Sequence, residues 1–144
     1  MIFLPVNNPT LLFKKHAEDA GFDLFVAEDV VFEPCTTKEV EVGVRTCIPQ
    51  GYWGLVVPRS SFRKKGFLAQ AVIDAYYTGP WKIATTWIAP PTAEPYVLTK
   101  GTRFAQLIII PLPEVQLIAR SLDDLRELAA GKRGDSGYGS TGEK

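Results

Sequence analysis

Glu39-Val40-Glu41-Val42-Gly43-Val44 sets three valines on one side of an extended chain and two carboxylates on the other. A period of two is the mark of a strand with one face buried. The same short, β-rich texture recurs in both directions. It covers Phe22 to Ala27, Val30 to Phe32, the full run from Glu39 to Ile48, Tyr52 to Val57, Trp81 to Ile88, Tyr96 to Leu98, Phe104 to Ile110 and Val115 to Ala119. Eleven prolines and twelve glycines punctuate it, with turns marked at Gln50-Gly51, Pro90-Pro91 and Lys100-Gly101. Many short strands at this spacing predict an all-β fold of the sandwich, jelly-roll or barrel kind. One helix stands out. Ser121 to Asp124 has capping-box spacing, Leu122, Leu125 and Leu128 form a stripe, and Gly131 suits the stop.

At 144 residues the chain is expected to fold as one domain, residues 1–130, followed by a glycine-rich arm over 131–144. The 16 basic and 16 acidic side chains balance, which argues against a nucleic-acid-coating protein, since phosphate contacts need a basic surplus. Cys35 and Cys47 suit neither a disulfide framework nor a zinc site, and Cys47 reads as a small core residue. The opening Met1-Ile2-Phe3-Leu4-Pro5 has no basic leader, and no stretch is apolar for long enough to cross a membrane. A reducing, cytoplasmic setting is the resulting expectation. His16 is the only histidine and sits beside Lys14 and Lys15, so a general base is expected to be a carboxylate.

Five clusters carry chemistry. Ala20-Gly21-Phe22-Asp23-Leu24 places a carboxylate at the start of a strand. Pro58-Arg59-Ser60-Ser61 offers a guanidinium and two hydroxyls at a short helix start. Val72 to Gly79 reads as a tight hairpin holding Asp74 and Tyr77, and Gly101 to Leu107 carries Arg103 and Gln106. The last, Arg133 to Gly142, combines four glycines with Arg133, Tyr138, Ser140 and Thr141, the makings of a flap over a nucleoside triphosphate. Each cluster alone has a plain structural reading. Asp23 can cap a turn, Arg59 to Ser61 can be a solvated loop, Asp74 can be a turn-forming residue, Arg103 can pair with any nearby acid, and chain ends commonly fray.

Taken in order, the five resemble the five motifs of the trimeric dUTPases, over about residues 16 to 142. The resemblance implies a distorted jelly-roll β-barrel with one short helix and a flexible C-terminal arm. It also implies a homotrimer with shared active sites and no nucleic-acid or membrane partner. The implied reaction splits dUTP into dUMP and pyrophosphate, which keeps uracil out of DNA and supplies dUMP for thymidylate synthesis. Asp74 takes the place of the base that activates the attacking water. Tyr77 takes that of the ring beneath the deoxyribose. Backbone groups of the hairpin around Leu68, Val72 and Ile73 take that of the uracil reader. Arg59, Ser60, Ser61, Arg103 and Gln106 match phosphate contacts. Arg133, Gly137, Tyr138, Ser140 and Thr141 match the closing arm, with Tyr138 where a phenylalanine commonly stacks on the base. A Mg²⁺ ion is implied on the phosphates, with Asp23 reaching it through water.

The chain departs from that pattern at Ala71, Tyr76 and Pro80, where the family favours Gly, Asp, and Glu or Gln. Two other readings are open. The related dCTP deaminases need a glutamate on the strand after the hairpin, where this chain reads Trp81-Lys82-Ile83-Ala84-Thr85-Thr86-Trp87. The other is a dUTPase-like regulatory module with weakened catalysis and an unknown protein partner.

Overall fold

The computed structural model describes residues 1–134. Among them nine strands form: β1 (Leu12–Phe13), β2 (Phe22–Phe25), β3 (Val30–Phe32), β4 (Thr36–Glu41), β5 (Tyr52–Pro58), β6 (Phe67–Ile73), β7 (Lys82–Trp87), β8 (Tyr96–Leu98) and β9 (Arg103–Pro111). Two short helices accompany them, α1 (Ser60–Lys64) and α2 (Leu122–Leu128). Seven strands make one curled sheet in the order β1-β2-β9-β5-β6-β7-β4, and β3 pairs with β8 in a separate ribbon. Every neighbouring pair is antiparallel. This is the mostly-β, jelly-roll-type architecture expected from the sequence.

The chain divides into two compact units, Met1–Pro113 and the segment from Glu114 onward. In the first, the inward parity of the sheet is dry: Leu24, Val40, Val56, Ile83, Phe104, Ala105 and Leu107 are fully buried. An aromatic cluster fills one end. Phe67 meets Phe32, Phe62 and Tyr96 edge-on, with ring centroids 5.4, 5.7 and 5.1 Å away, and stacks on Trp87 at 5.9 Å. Offset and edge-to-face arrangements of this kind add to the area the rings bury.

The valine run behaves in a way that alternation alone does not anticipate. Burial alternates as expected through Val40, Val42, Val44, Thr46 and Ile48, yet β4 ends at Glu41. Gly43 turns into the left-handed region (φ 69°), and beyond it only an isolated bridge, Val6 to Thr46, continues the pairing. The inward position near the end of the run is therefore held by Thr46, while Cys47, of opposite parity, is only partly buried. β6 was expected only as an apolar run. Val115 to Ala119, expected as a strand, forms none and is exposed. The second unit does contain the expected helix: Ser121 Oγ accepts the Asp124 N–H at 3.1 Å.

Helix α1, which carries Ser60 and Ser61, is pinned on two sides. The Arg59 N–H donates to the Phe104 carbonyl at 2.9 Å, and Trp87 Nε1 donates to the Lys65 carbonyl at 3.0 Å. Phe62 points into the aromatic cluster, and Lys65 Nζ lies 4.6 Å from its ring centroid. Gly66 then turns the chain into β6 with φ 94°, and a Cβ there would sit 2.2 Å from the Ile88 carbonyl oxygen. Backbone cannot yield to that contact without losing the Ile88 N–H to Gly66 carbonyl bond, 2.9 Å long. Gly66→Ala is therefore expected to destabilise the protein by about 2 kcal/mol or more. A urea unfolding midpoint checks this, and an unchanged midpoint would mean that the turn relaxes freely.

Candidate active site

Sheet register brings the first, second and fourth motifs together. Phe13, Asp23, Gln106 and Val57 are successive Cα partners across β1, β2, β9 and β5, all on the face opposite the dry core. A register shift between Leu24 and Phe25 sets Phe25 opposite Arg103. Arg59 arrives from the end of β5. The Asp23 carboxylate lies between both guanidiniums, with Oδ1 3.3 Å from Arg59 Nε and Oδ2 3.3 Å from Arg103 Nη1. Arg59 Nη1 also donates to the Arg103 carbonyl at 3.1 Å. Two arginines on one carboxylate leave a net positive, half-open patch. Forked guanidiniums suit phosphate oxygens. Ser60 and Ser61 are exposed beside it at the start of α1.

Two supporting residues escaped the sequence reading. The Phe13 ring lies under the Arg103 guanidinium, 4.6 Å from centroid to carbon, and only the folded register of β1 makes that visible. Gly21 was quoted within its motif without a role. A Cβ there would fall 2.8 Å from Gln106 Oε1 and 3.0 Å from the Leu107 carbonyl, so the missing side chain leaves room for the amide.

The third motif forms a separate group. β6 pairs with β7 only from Phe67 to Gln70, and its last residues pair with β5 instead. The expected tight hairpin is therefore a wide connection over 74–81. Asp74 is exposed at its start and its carboxylate has no hydrogen-bond or ion-pair partner among the described residues. Tyr77 donates its N–H to the Asp74 carbonyl at 3.2 Å and its hydroxyl to the Pro80 carbonyl at 3.0 Å. Gly79 makes room for that ring, since a Cβ would meet the Tyr77 hydroxyl at 2.3 Å. Pro80, a departure from the family pattern, thus supplies the acceptor that fixes Tyr77. Tyr76 occupies the left-handed region (φ 65°), while its N–H donates to the Ile48 carbonyl at 2.9 Å. Leu68 and Val72 are exposed on β6, and Ile73 is buried.

Within one chain these two groups stand apart. Ile73 is opposite Gly54, whereas Gln106, beside Asp23, is opposite Val57. Three strand steps and three residues separate them, about 17 Å along the sheet at roughly 4.8 Å per strand and 3.3 Å per residue. Arg133 is exposed near the end of the second unit, and Gly137, Tyr138, Ser140 and Thr141 lie outside the described residues.

Comparison with known proteins decides the family. The family model for dUTPase matches residues 7–142. The chain belongs to the dUTPase family. It is 41% identical over 133 residues to the deoxyuridine 5'-triphosphate nucleotidohydrolase of Mycobacterium marinum, covering 90% of this chain and 85% of the relative. The enzyme of that name from Corynebacterium jeikeium is 40% identical over 134 residues, covering 90% and 83%. Among solved structures, a Staphylococcus bacteriophage 80alpha dUTPase with dUpNHpp superposes with a TM-score of 0.79 at 27% identity, covering 99% of both chains. The native EIAV dUTPase gives 0.71 at 32% identity, covering 83% of this chain and 97% of its own.

A dUTPase with this arginine pair should lose polyphosphate affinity when one fork is removed. Arg59→Ala is expected to weaken binding of inorganic tripolyphosphate in the presence of Mg²⁺ about tenfold, the loss of one charge-assisted contact. Isothermal titration measures it, and undiminished affinity would remove Arg59 from the phosphate site.

Proposed function

We propose that this protein hydrolyses dUTP to dUMP and pyrophosphate, with Asp74 activating the water that attacks the α-phosphorus. The observation that carries this reading is Asp74 itself: in a chain of the dUTPase family, the carboxylate at the base position stands exposed and unpaired among the described residues. An ionised carboxylate within reach of a water can orient it and take its proton. Tyr77, held by Pro80 and accommodated by Gly79, offers a fixed face against which a deoxyribose packs and a ribose 2′-hydroxyl finds no room. The backbone of β6 and the connection after it, near Leu68, Val72 and Ile73, offers donors and acceptors to the uracil edge. A base of the wrong pattern would leave buried polar groups unmatched, at about 1–3 kcal/mol each.

Arg59, Ser60, Ser61, Arg103 and Gln106 form the phosphate end of this site. The separation along the sheet between them and Asp74 supports a site built from two chains, in which one protomer gives the base and another the arginines. The outer sheet face supports association as well. Leu55 lies between Ile108 and Val72, and Trp53 lies opposite Ile110, all on the face away from the core and all at least partly exposed. A contiguous apolar face of this kind is covered by a partner in stable assemblies. The homotrimer is the assembly we propose, and the arm beginning at Arg133 is proposed to close over the triphosphate.

Among the described residues no three His, Cys, Asp or Glu side chains group as a metal cage. Asp23 alone brings a carboxylate to the arginine patch. That donor set fits a Mg²⁺ ion held by phosphate oxygens and water, with Asp23 touching it through water, because magnesium gives up its waters reluctantly. When bound, the ion offsets charge on the phosphate oxygens. A relative bears on this choice: the phage phi11 dUTPase of S. aureus coordinates a structural Mg(II) ion.

Asp74→Asn keeps the shape of the side chain and removes the base. It is expected to lower the turnover of dUTP by about 10²- to 10⁴-fold, as general-base losses do, while leaving the affinity for a non-hydrolysable analogue near that of the wild type. Pyrophosphate release and titration calorimetry read the two quantities. Turnover within a few-fold of wild type would remove Asp74 from the role.

A further inference from the structure

The Asp23 carboxylate touches no metal or substrate in this fold; it is engaged by Arg59 and Arg103, the two guanidiniums proposed to hold phosphate. The arrangement is built rather than incidental. Asp23 is fixed within β2 opposite Gln106, its side chain is 19% exposed, and the arginines approach from the end of β5 and the start of β9 at 34% and 36% exposure. Asp23 therefore cannot swing away when a ligand arrives. Both arginine side chains are long, and their stems leave the heads free to exchange partners.

What meets Asp23 depends on the form of the incoming polyphosphate. A metal-free polyphosphate brings only anionic oxygens to the arginines and so sets negative charge beside a carboxylate that cannot retreat, which is repulsive. A polyphosphate carrying a hydrated divalent cation brings water O–H donors as well. The carboxylate can then release the guanidiniums to the phosphates and accept hydrogen bonds from those waters. The interaction of Asp23 with the ligand changes sign according to whether the metal is present.

Resting on the phosphate-site reading above, we infer that Asp23 is a selectivity latch: it occupies Arg59 and Arg103 in the empty site and makes phosphate binding conditional on a divalent cation. Its action runs through the two arginines, so it is a positioning residue. A residue that only helped to bind the metal would behave differently when removed. It would weaken the metal-bound ligand and leave the metal-free one unaffected.

The test is titration calorimetry of the full chain with inorganic tripolyphosphate, once in Mg²⁺ and once in EDTA. For the wild type, Mg²⁺ is expected to strengthen binding markedly. Asp23→Asn is expected to bind metal-free tripolyphosphate about tenfold more tightly than the wild type, the size of one partly screened charge contact, and to gain little from Mg²⁺. Glu18→Gln removes one charge from an exposed position of the same connecting segment and is expected to change the metal-free affinity less than about twofold, which separates the latch from net charge. If Asp23→Asn does not fold, as judged by its melting curve, Asp23→Ser is read in the same way. A folded Asp23 variant that binds metal-free tripolyphosphate no more tightly than the wild type overturns the latch, as does an equal gain in Glu18→Gln. Wild-type hydrolysis of dUTP, measured alongside, tests the proposed reaction separately, because tripolyphosphate binding is read without turnover.

Discussion

The antiparallel pairing of β5 with two neighbours at once governs this structure. Gly54 faces Ile73 on one side and Ile109 on the other, while Val57 faces Gln106. That register fixes where the chain after β6 emerges with Asp74, and where the arginines gather around Asp23. Gly54 makes the pairing close: a Cβ there would meet Leu107 Cδ1 at 2.9 Å and Ile48 Cδ1 at 3.0 Å. The same hydrogen-bond ladder that builds the core therefore sets the spacing of the chemistry. It also directs Leu55, Trp53, Ile108 and Val72 outward, so the sheet that positions the site presents an apolar face for a second copy.

Much of this was legible in the sequence because it obeys local rules. Val40, Val42 and Val44 announce a buried parity and are buried. Ser121 and Asp124 announce a cap and form one. The motif order pointed to the family that the comparisons establish. The misreadings arose where tertiary partners override local pattern. Residues 42–48 keep strand-like alternation without a ladder, since Gly43 turns them away from β7. Residues 115–119 have strand composition but no neighbouring strand among the described residues. The run over β6 lacks clean alternation because Ala69 and Ala71, small residues, take inward places beside Phe67 and Ile73, and only pairing with both β5 and β7 identifies it. Phe13 beneath Arg103 belongs to the same class, a contact that no spacing announces.

The departures from the family pattern acquire a physical meaning in the fold. Pro80 contributes a carbonyl to Tyr77, and a carbonyl needs no particular side chain. Tyr76 holds a left-handed backbone that a non-glycine residue adopts at some strain, offset here by its N–H bond to the Ile48 carbonyl. Ala71 is paired with Val56 and partly buried, so its methyl lies within the sheet rather than on the exposed loop that holds Asp74. None of the three touches the Asp23 cluster. The machinery is thus modular: a rigid anion patch at one end of the paired strands, and a variable loop at the other.

Because those two ends belong to one chain yet lie too far apart to share one nucleotide, the most direct measurement is complementation between two crippled proteins. Asp74→Asn and Arg59→Ala chains, denatured together and refolded, form mixed assemblies. A site that draws its base from one protomer and its arginine from another is intact whenever the two defects fall in other places. The mixture is expected to recover about a quarter of the wild-type rate of dUTP hydrolysis, the chance of that pairing in randomly assembled oligomers. A mixture no more active than its two components measured separately would contradict a site shared between chains.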